Sequence, residues 1–380
     1  DENDAQNFEY KPSEGVTTSA LWANAANCVG GMQIDIQAND VTVKNIVFRG
    51  GQFINLRVSA NATKVVHNWF DLTTDTAIQS ANDNITAANN ATIAYNKFTN
   101  IGQAAVYKVY AGQSKDDWHI HHNHIENCDP AGIWTDHQDD HGIQLESGDN
   151  CIVEYNTIIN AGAHGVGLDY GFTSNSTNDC IIRNNRITAP GVTDVGFNTT
   201  GIHIEGKHAR INPENTLRNK IHHNLIYDYT GKGIFISSCG KSANPEEWIR
   251  IANNTIFDCK ESAVAISDSW KPAQYTAALR FENNIIVNSD DYLLDHIYNV
   301  NENDWSSIIL RNNIWYSDDH TFKMDWKNND FGSFFAWELA YGTETGGFSA
   351  DPQFTDPENG DFSLQPTSPA IDAGRTWWKE

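Results

Sequence analysis

A chain of 380 residues with 25 Lys plus Arg against 49 Asp plus Glu carries a formal charge of −24. A field of that sign repels phosphate backbones, which argues against a nucleic-acid partner, whereas neutral polysaccharide or a cation such as Ca²⁺ is compatible with it. No run of 18 apolar residues is present, so no membrane span is expected.

The chain opens on DENDAQNFEY, without a basic-then-apolar signal region, which fits a cytosolic protein or a mature, processed chain. Residues 1–34 read as an N-terminal segment and cap, with CVGGMQIDIQ opening the first regular unit. From there a phrase of Asn, any residue and an apolar residue recurs, at Asn45, Asn68, Asn96, Asn123, Asn156, Asn185, Asn224, Asn254, Asn284 and Asn313. The intervals run from 23 to 39 residues. Seven residues after the apolar member a second beat follows, a small residue and then alternation: Ala77-Ile78, Ala105-Val106, Gly132-Ile133, Gly165-Val166, Gly233-Ile234 and Ala263-Val264.

Each unit therefore holds at least two short strands of period two, separated by a turn. Such a unit cannot bury its apolar face alone and must stack on its neighbours. Helical periodicity is missing throughout, which leaves an all-β parallel β-helix of about ten coils. An inward Asn at each bend would bond the backbone of the bend and the Asn of the next coil, forming a ladder through the interior. All ten asparagines are given that structural role. The six cysteines are scattered without a C-x-x-C pair; CIVEYNTI and CIIRNNRI make Cys151 and Cys180 expected neighbours, read as buried small hydrophobes.

These repeated phrases, with their GI strands, resemble the right-handed parallel β-helix (pectate-lyase-like) superfamily. The closing SADPQFTDPENGDFSLQPTSPAIDAG resembles the tail of many secreted bacterial proteins of that group. The resemblance implies a right-handed solenoid over residues 35–320 and a secreted or periplasmic location. It also implies a polysaccharide partner, with hydrolases, lyases, epimerases and adhesins all represented. The motifs of individual families are not matched, and fold alone does not give function.

The two longest intervals begin at Asn123 and Asn185 and carry TDHQDDHGIQLESGD and TDVGFNTTGIHIEGKHAR. Insertions in a solenoid map to loops on one face, often the binding face. Overlaying HGIQLES, HGVGLDY, TGIHIEG and KGIFISS sends Ile143, Val166, Ile202 and Ile234 inward. It stacks Glu146, Asp169 and Glu205 outward on consecutive coils, about 4.8 Å apart. Like charges opposite one another are destabilising, so this stack points to a cation or to coupled acids sharing a proton. The strict second beat instead aligns Gly132-Ile133-Trp134 with Gly165-Val166-Gly167 and places Asp136 beside Asp169. Both registers stay open, and Asp169 is central in each.

Paired carboxyls suit glycoside hydrolysis, as acid with base or nucleophile. Asp169 with Glu146 or Asp136 forms the candidate pair, and Glu205, His203 and His141 tune or position. His164, Trp134, Tyr170, Phe235, Lys241 and Trp270 are candidate substrate contacts. The hydrolase reading requires no cofactor. The second reading is elimination on a uronate polymer, or C5-epimerisation, with Lys207, Arg210, Lys232 and Lys241 as candidate bases, Lys207 the first to test, and His203 or Tyr170 behind them. Ca²⁺ would then neutralise the uronate, and Asp139 and Asp140 are its candidate ligands. The third reading is a non-catalytic carbohydrate-binding β-helix. Residues 321–380, rich in Trp, are expected to cap the open end on the same domain, because an uncovered solenoid end exposes strand edges.

Overall fold

The computed structural model describes residues 9–10, 32–51, 54–80, 88–108, 116–129, 141–146, 148–169, 177–192, 199–205, 218–237, 248–267, 279–297, 308–318, 322–326 and 329–375. From Met32 onward short strands recur in threes, and each member of a triplet pairs in parallel with its counterpart one coil on. Three long sheets result, of 11, 12 and 11 strands among the described residues. We call them A, B and C, represented by Thr157–Ala161, His164–Asp169 and Ile181–Arg183 in one circuit of the chain. The fold is a right-handed parallel β-helix, the hand that strand twist imposes on parallel crossovers.

The bend from sheet C to sheet A is the same in every coil. One residue takes the left-handed conformation, at Asn45, His67, Tyr95, His122, Tyr155, Asn184, His223, Asn253, Asn283 and Asn312, with φ between 54° and 59°. Asparagine and histidine tolerate that region better than most side chains. The following Asn turns inward, buried. Asn185 typifies the ladder: its backbone N–H and its Nδ2 both donate to Asn224 Oδ1, at 3.1 and 3.0 Å, and Nδ2 also reaches Val153 O at 2.9 Å. The same pattern runs without a break from Asn68 to Asn313.

Asn45 is the exception, and the expectation for it is corrected. It occupies the left-handed position, its N–H bonded to His67 O, and Ile46 fills the ladder slot, donating its N–H to Asn68 Oδ1 at 3.1 Å. Between sheets B and C a second, shallower ladder forms, in which Asp116 N bonds Asn89 Oδ1, Asp149 N bonds Asp116 Oδ1 and Asn178 N bonds Asp149 Oδ1. Cys151 and Cys180 precede directly paired residues, and Cys128, Cys151, Cys180 and Cys259 are buried free thiols.

Inside, equivalent positions stack coil on coil. Phe48, Phe70 and Phe98 lie nearly parallel, with centroids 4.6 and 5.0 Å apart, and Ile125, Ile158, Ile187, Ile226, Ile256 and Ile286 continue the column. At the bend into sheet B the glycine of each GI phrase is sterically required. A Cβ on Gly165 would sit 2.5 Å from Ile187 Cγ2 and 2.6 Å from Gly201 O.

The C-terminal end is closed by residues 322–326 and 329–348, where Trp337 of the helix Phe334–Tyr341 packs edge to face on Trp315 and Trp326. Residues 350–375 instead run back along the outer face of sheet A. There Phe354 and Phe362 pack on Tyr227 and Phe257, Arg186 Nη1 donates to Gly360 O at 3.2 Å, and Asn283 exchanges two hydrogen bonds with the backbone of Arg375. Trp377 and Trp378 lie outside the described residues.

Candidate active site on the outer face of sheet B

Strand pairing decides between the two registers. Ile143–Glu146 lies between Val106–Lys108 and His164–Asp169, with Ile143 opposite Val166, Leu145 opposite Leu168 and Glu146 opposite Asp169. The next pairings set Gly167 against His203, His203 against Phe235 and Glu205 against Ser237. The overlay of the four GI phrases is therefore the observed register. The strict second beat is corrected for Asp169, whose partner in sheet B is Glu146; Gly132, Ile133, Trp134 and Asp136 lie outside the described residues. The extra residues of that coil enter before the strand, between Cys128 and His141, so spacing from Asn123 could not locate it.

Since Ile143, Leu145, Val166, Leu168, Ile202, Ile204, Ile234 and Ile236 belong to the core, their strand neighbours point away from it. Those outward residues are nevertheless buried: Gln144 and Glu146 are 3% and 7% exposed, His203 and Phe235 7% and 6%. Gly167 sits between Gln144 and His203 and leaves a notch in this row. The His164 ring centroid lies 4.6 Å from that of His141 and 4.3 Å from that of His203, and His203 stacks on Phe235 at 5.1 Å. His203 Nε2 also contacts Ser237 Oγ at 3.2 Å.

Burial holds His164 well below the ordinary imidazole pKa and brings His203 down to about 3, with the neighbouring His141 and Lys232 adding to the effect. Both rings are neutral near pH 7 and serve as hydrogen-bonding groups there. Lys232, opposite Thr200 in the row that holds His141 and His164, is buried in an ion pair with Glu261, its Nζ 5.6 Å from the Phe235 ring centroid. Farther along, Asp295 stands opposite Ala265 and Asp325. Its pKa is raised to about 6, by burial first and then by the Asp325 charge.

Glu146, His203, His141, His164 and Phe235 are thus gathered on one face. Asp169 and Glu205 are described in backbone only, and their side chains lie outside the described residues. Asp136, Lys207, Trp134, Tyr170, Lys241, Trp270, Asp139 and Asp140 also lie outside them, as does Arg210. Among the described residues no group of three His, Cys, Asp or Glu is placed to hold a metal ion. Sequence reasoning named Lys232 only as a candidate base for elimination, gave Gln144 no role, and missed Glu261 and Asp295. The signal for Lys232 was present, since it precedes Gly-Ile in KGI as His141 and His164 do in HGI and HGV.

No protein-family model matches the chain. No curated protein matches it either. Among solved structures it is similar to an alginate lyase from Paenibacillus sp. str. FPU-7, at 14% identity and a TM-score of 0.47, over 77% of this chain and 97% of that one. A GH87 α-1,3-glucanase catalytic unit from Streptomyces thermodiastaticus strain HF3-3 gives 14% identity and 0.45, over 91% and 70%. The surface adhesin PfbA of Streptococcus pneumoniae gives 16% identity and 0.44, over 68% and 66%.

Proposed function

We propose that this protein is a secreted polysaccharide-degrading enzyme, a glycoside hydrolase working on the outer face of sheet B. The observation that carries the reading is the direct pairing of Glu146 with Asp169 on a face that points outward and is buried. Adjacent parallel strands set such residues about 4.8 Å apart, close to the 5–5.5 Å between carboxyl groups in retaining glycosidases. In this reading one of the two carboxyls serves as general acid and the other as nucleophile. Glu205, in register on the next coil, supports the charge distribution. His141 and the neutral His164 and His203, with Gln144, would hold sugar hydroxyls beside the notch at Gly167, and Phe235 offers a ring at its edge. This chemistry needs no cofactor.

One observation favours a second reading, elimination on a uronate polymer: Lys232 is a buried cation on the same face, fit to neutralise a uronate carboxylate or, once released from Glu261, to take its α-proton. In that reading Ca²⁺ assists, with Asp139 and Asp140 as ligands and Lys207 as an alternative base.

The test is incubation with a panel of neutral and uronate polysaccharides, reading reducing ends and absorbance near 235 nm together, with and without EDTA. Reducing ends without absorbance, lost in Glu146→Gln and Asp169→Asn, support hydrolysis. Absorbance that survives both substitutions and is lost in Lys232→Ala replaces it with elimination. Turnover unaffected by all three variants would remove the site.

A further inference from the structure

Away from sheet B, the bend between sheets C and A carries a pair of histidines whose geometry is that of a chelate. His121 ends the outward row of the His119–His121 strand, and His122 takes the left-handed bend position with φ 54°. That change of conformation between neighbours sends both side chains to the same side, and their Nδ1 atoms approach to 2.9 Å.

Both rings are held in place. His122 is sandwiched between Tyr95 and Tyr155, which occupy the same bend position one coil before and after, at centroid distances of 4.9 and 5.0 Å. His121 stands edge-on to Tyr95 at 5.5 Å and lies 4.1 Å from the His119 ring. Preorganisation of this kind removes much of the ordering cost of binding. Two neutral imidazoles at this separation satisfy each other with one N–H···N bond, and when the donor ring carries its proton on Nε2 instead, both Nδ1 lone pairs are open to one cation.

The two Nδ1 atoms are close enough, at 2.9 Å, to ligate one cation. Imidazole suits Cu²⁺, Ni²⁺ and Zn²⁺, and at a given nitrogen site Cu²⁺ is bound most tightly of the first-row divalent ions. We propose that His121 and His122 chelate a first-row divalent cation, Cu²⁺ foremost, with water completing the coordination.

A second pair provides an internal comparison. His222 and His223 repeat the arrangement, Nδ1 to Nδ1 at 2.8 Å. The bend positions flanking His223 are Asn184 and Asn253, which offer no ring to clamp it. The residue opposite His222 on the preceding coil is Arg183, a cation, whereas Glu154 lies opposite His121, between His119 and Arg183. The second pair is therefore the weaker chelate.

The experiment is titration of the full chain with copper(II) sulfate alone in a non-chelating buffer at pH 7, followed by calorimetry and by electron paramagnetic resonance. The variants are His122→Asn, His121→Ala and His223→Asn. The first and third introduce the residue already present at Asn184 and Asn253, and the second the residue already present at Ala94 and Ala252 in the same row, so the fold is retained. Wild type is expected to bind one copper at least tenfold more tightly than His122→Asn or His121→Ala, with coupling to two imidazole nitrogens falling to one. His223→Asn should keep the tight site, and Zn²⁺ should bind at least tenfold more weakly than copper. Equal affinity in His122→Asn and wild type, loss of the tight site in His223→Asn, or zinc binding as tight as copper would overturn the assignment.

Discussion

Asn313 donates its backbone N–H and its side-chain amide to the carboxylate of Glu344, at 3.2 and 3.0 Å, in the slot where every earlier ladder residue meets another asparagine. Glu344 also accepts Trp315 Nε1 at 3.1 Å, so one carboxylate ends the ladder and ties it to the capping tryptophans.

Burial raises the Glu344 pKa to about 7 despite these three hydrogen bonds. A carboxyl raised on folding contributes stability that is complete below its unfolded value near 4.5 and is lost as pH rises through the folded value. Stability is therefore expected to fall with pH between about 4.5 and 7, and Glu344→Gln to flatten that slope. Its amide faces donors, so the variant should also lose about 1–3 kcal/mol at pH 4.5. Urea unfolding at several pH values measures both effects.

Asn185→Ala removes the acceptor of two donors on Asn156 and the donor to Val153 O, all buried. At about 1–3 kcal/mol for each orphaned group, a loss of at least about 3 kcal/mol is expected. The urea midpoint should drop accordingly, whereas Asn45→Ala, outside the ladder, should stay within about 1 kcal/mol of wild type.

Gly201→Ala would place a methyl 2.6 Å from Ile226 Cγ2 and 2.7 Å from Gly233 O. One of those atoms is backbone in a paired strand and cannot retreat, so about 1–3 kcal/mol of overpacking strain is expected. Because the strand carries His203, turnover on any polysaccharide substrate should fall as well.

His203 has the opposite linkage to Glu344. Its folded pKa of about 3 lies below the ordinary 6.5, so the stability it contributes is present above 6.5 and is lost as pH falls towards 3. His203→Gln should make the acid limb of the stability profile shallower between those values. A limb unchanged in slope would show that the ring is protonated in the folded chain.

Arg186 spans two contacts, its guanidinium 4.5 Å from the Tyr227 ring centroid and its Nη1 on Gly360 O. Arg186→Ala is expected to cost about 1 kcal/mol and to speed proteolytic cleavage between residues 350 and 375, with the coils left intact. Mass spectrometry of timed digests would show it.

The ladder and the stacking of coils were legible in the sequence because they are periodic requirements. The bend into sheet A takes an inward amide from Asn68 to Asn313 and the corner into sheet B takes a glycine or alanine from Ala77 to Ala263, so spacing exposes both. Asn45 misled because the residue before the ladder slot is also favoured as Asn, for a different reason, its left-handed φ. The functional face was only half legible. Spacing could not choose between Gly132 and Gly142 as the corner of the inserted coil, since insertions obey no period; only hydrogen bonding to the strands on either side fixes Glu146 opposite Asp169. The placement of Lys232 and its partner Glu261 next to the histidine row, and the clamping of His122 between Tyr95 and Tyr155, likewise arise from residues about thirty positions apart. The sequence by itself determined a solenoid and where its coils bend. Which side chains share a face was decided by the tertiary structure, because parallel pairing sets neighbours by register and a one-residue slip turns every side chain to the other side.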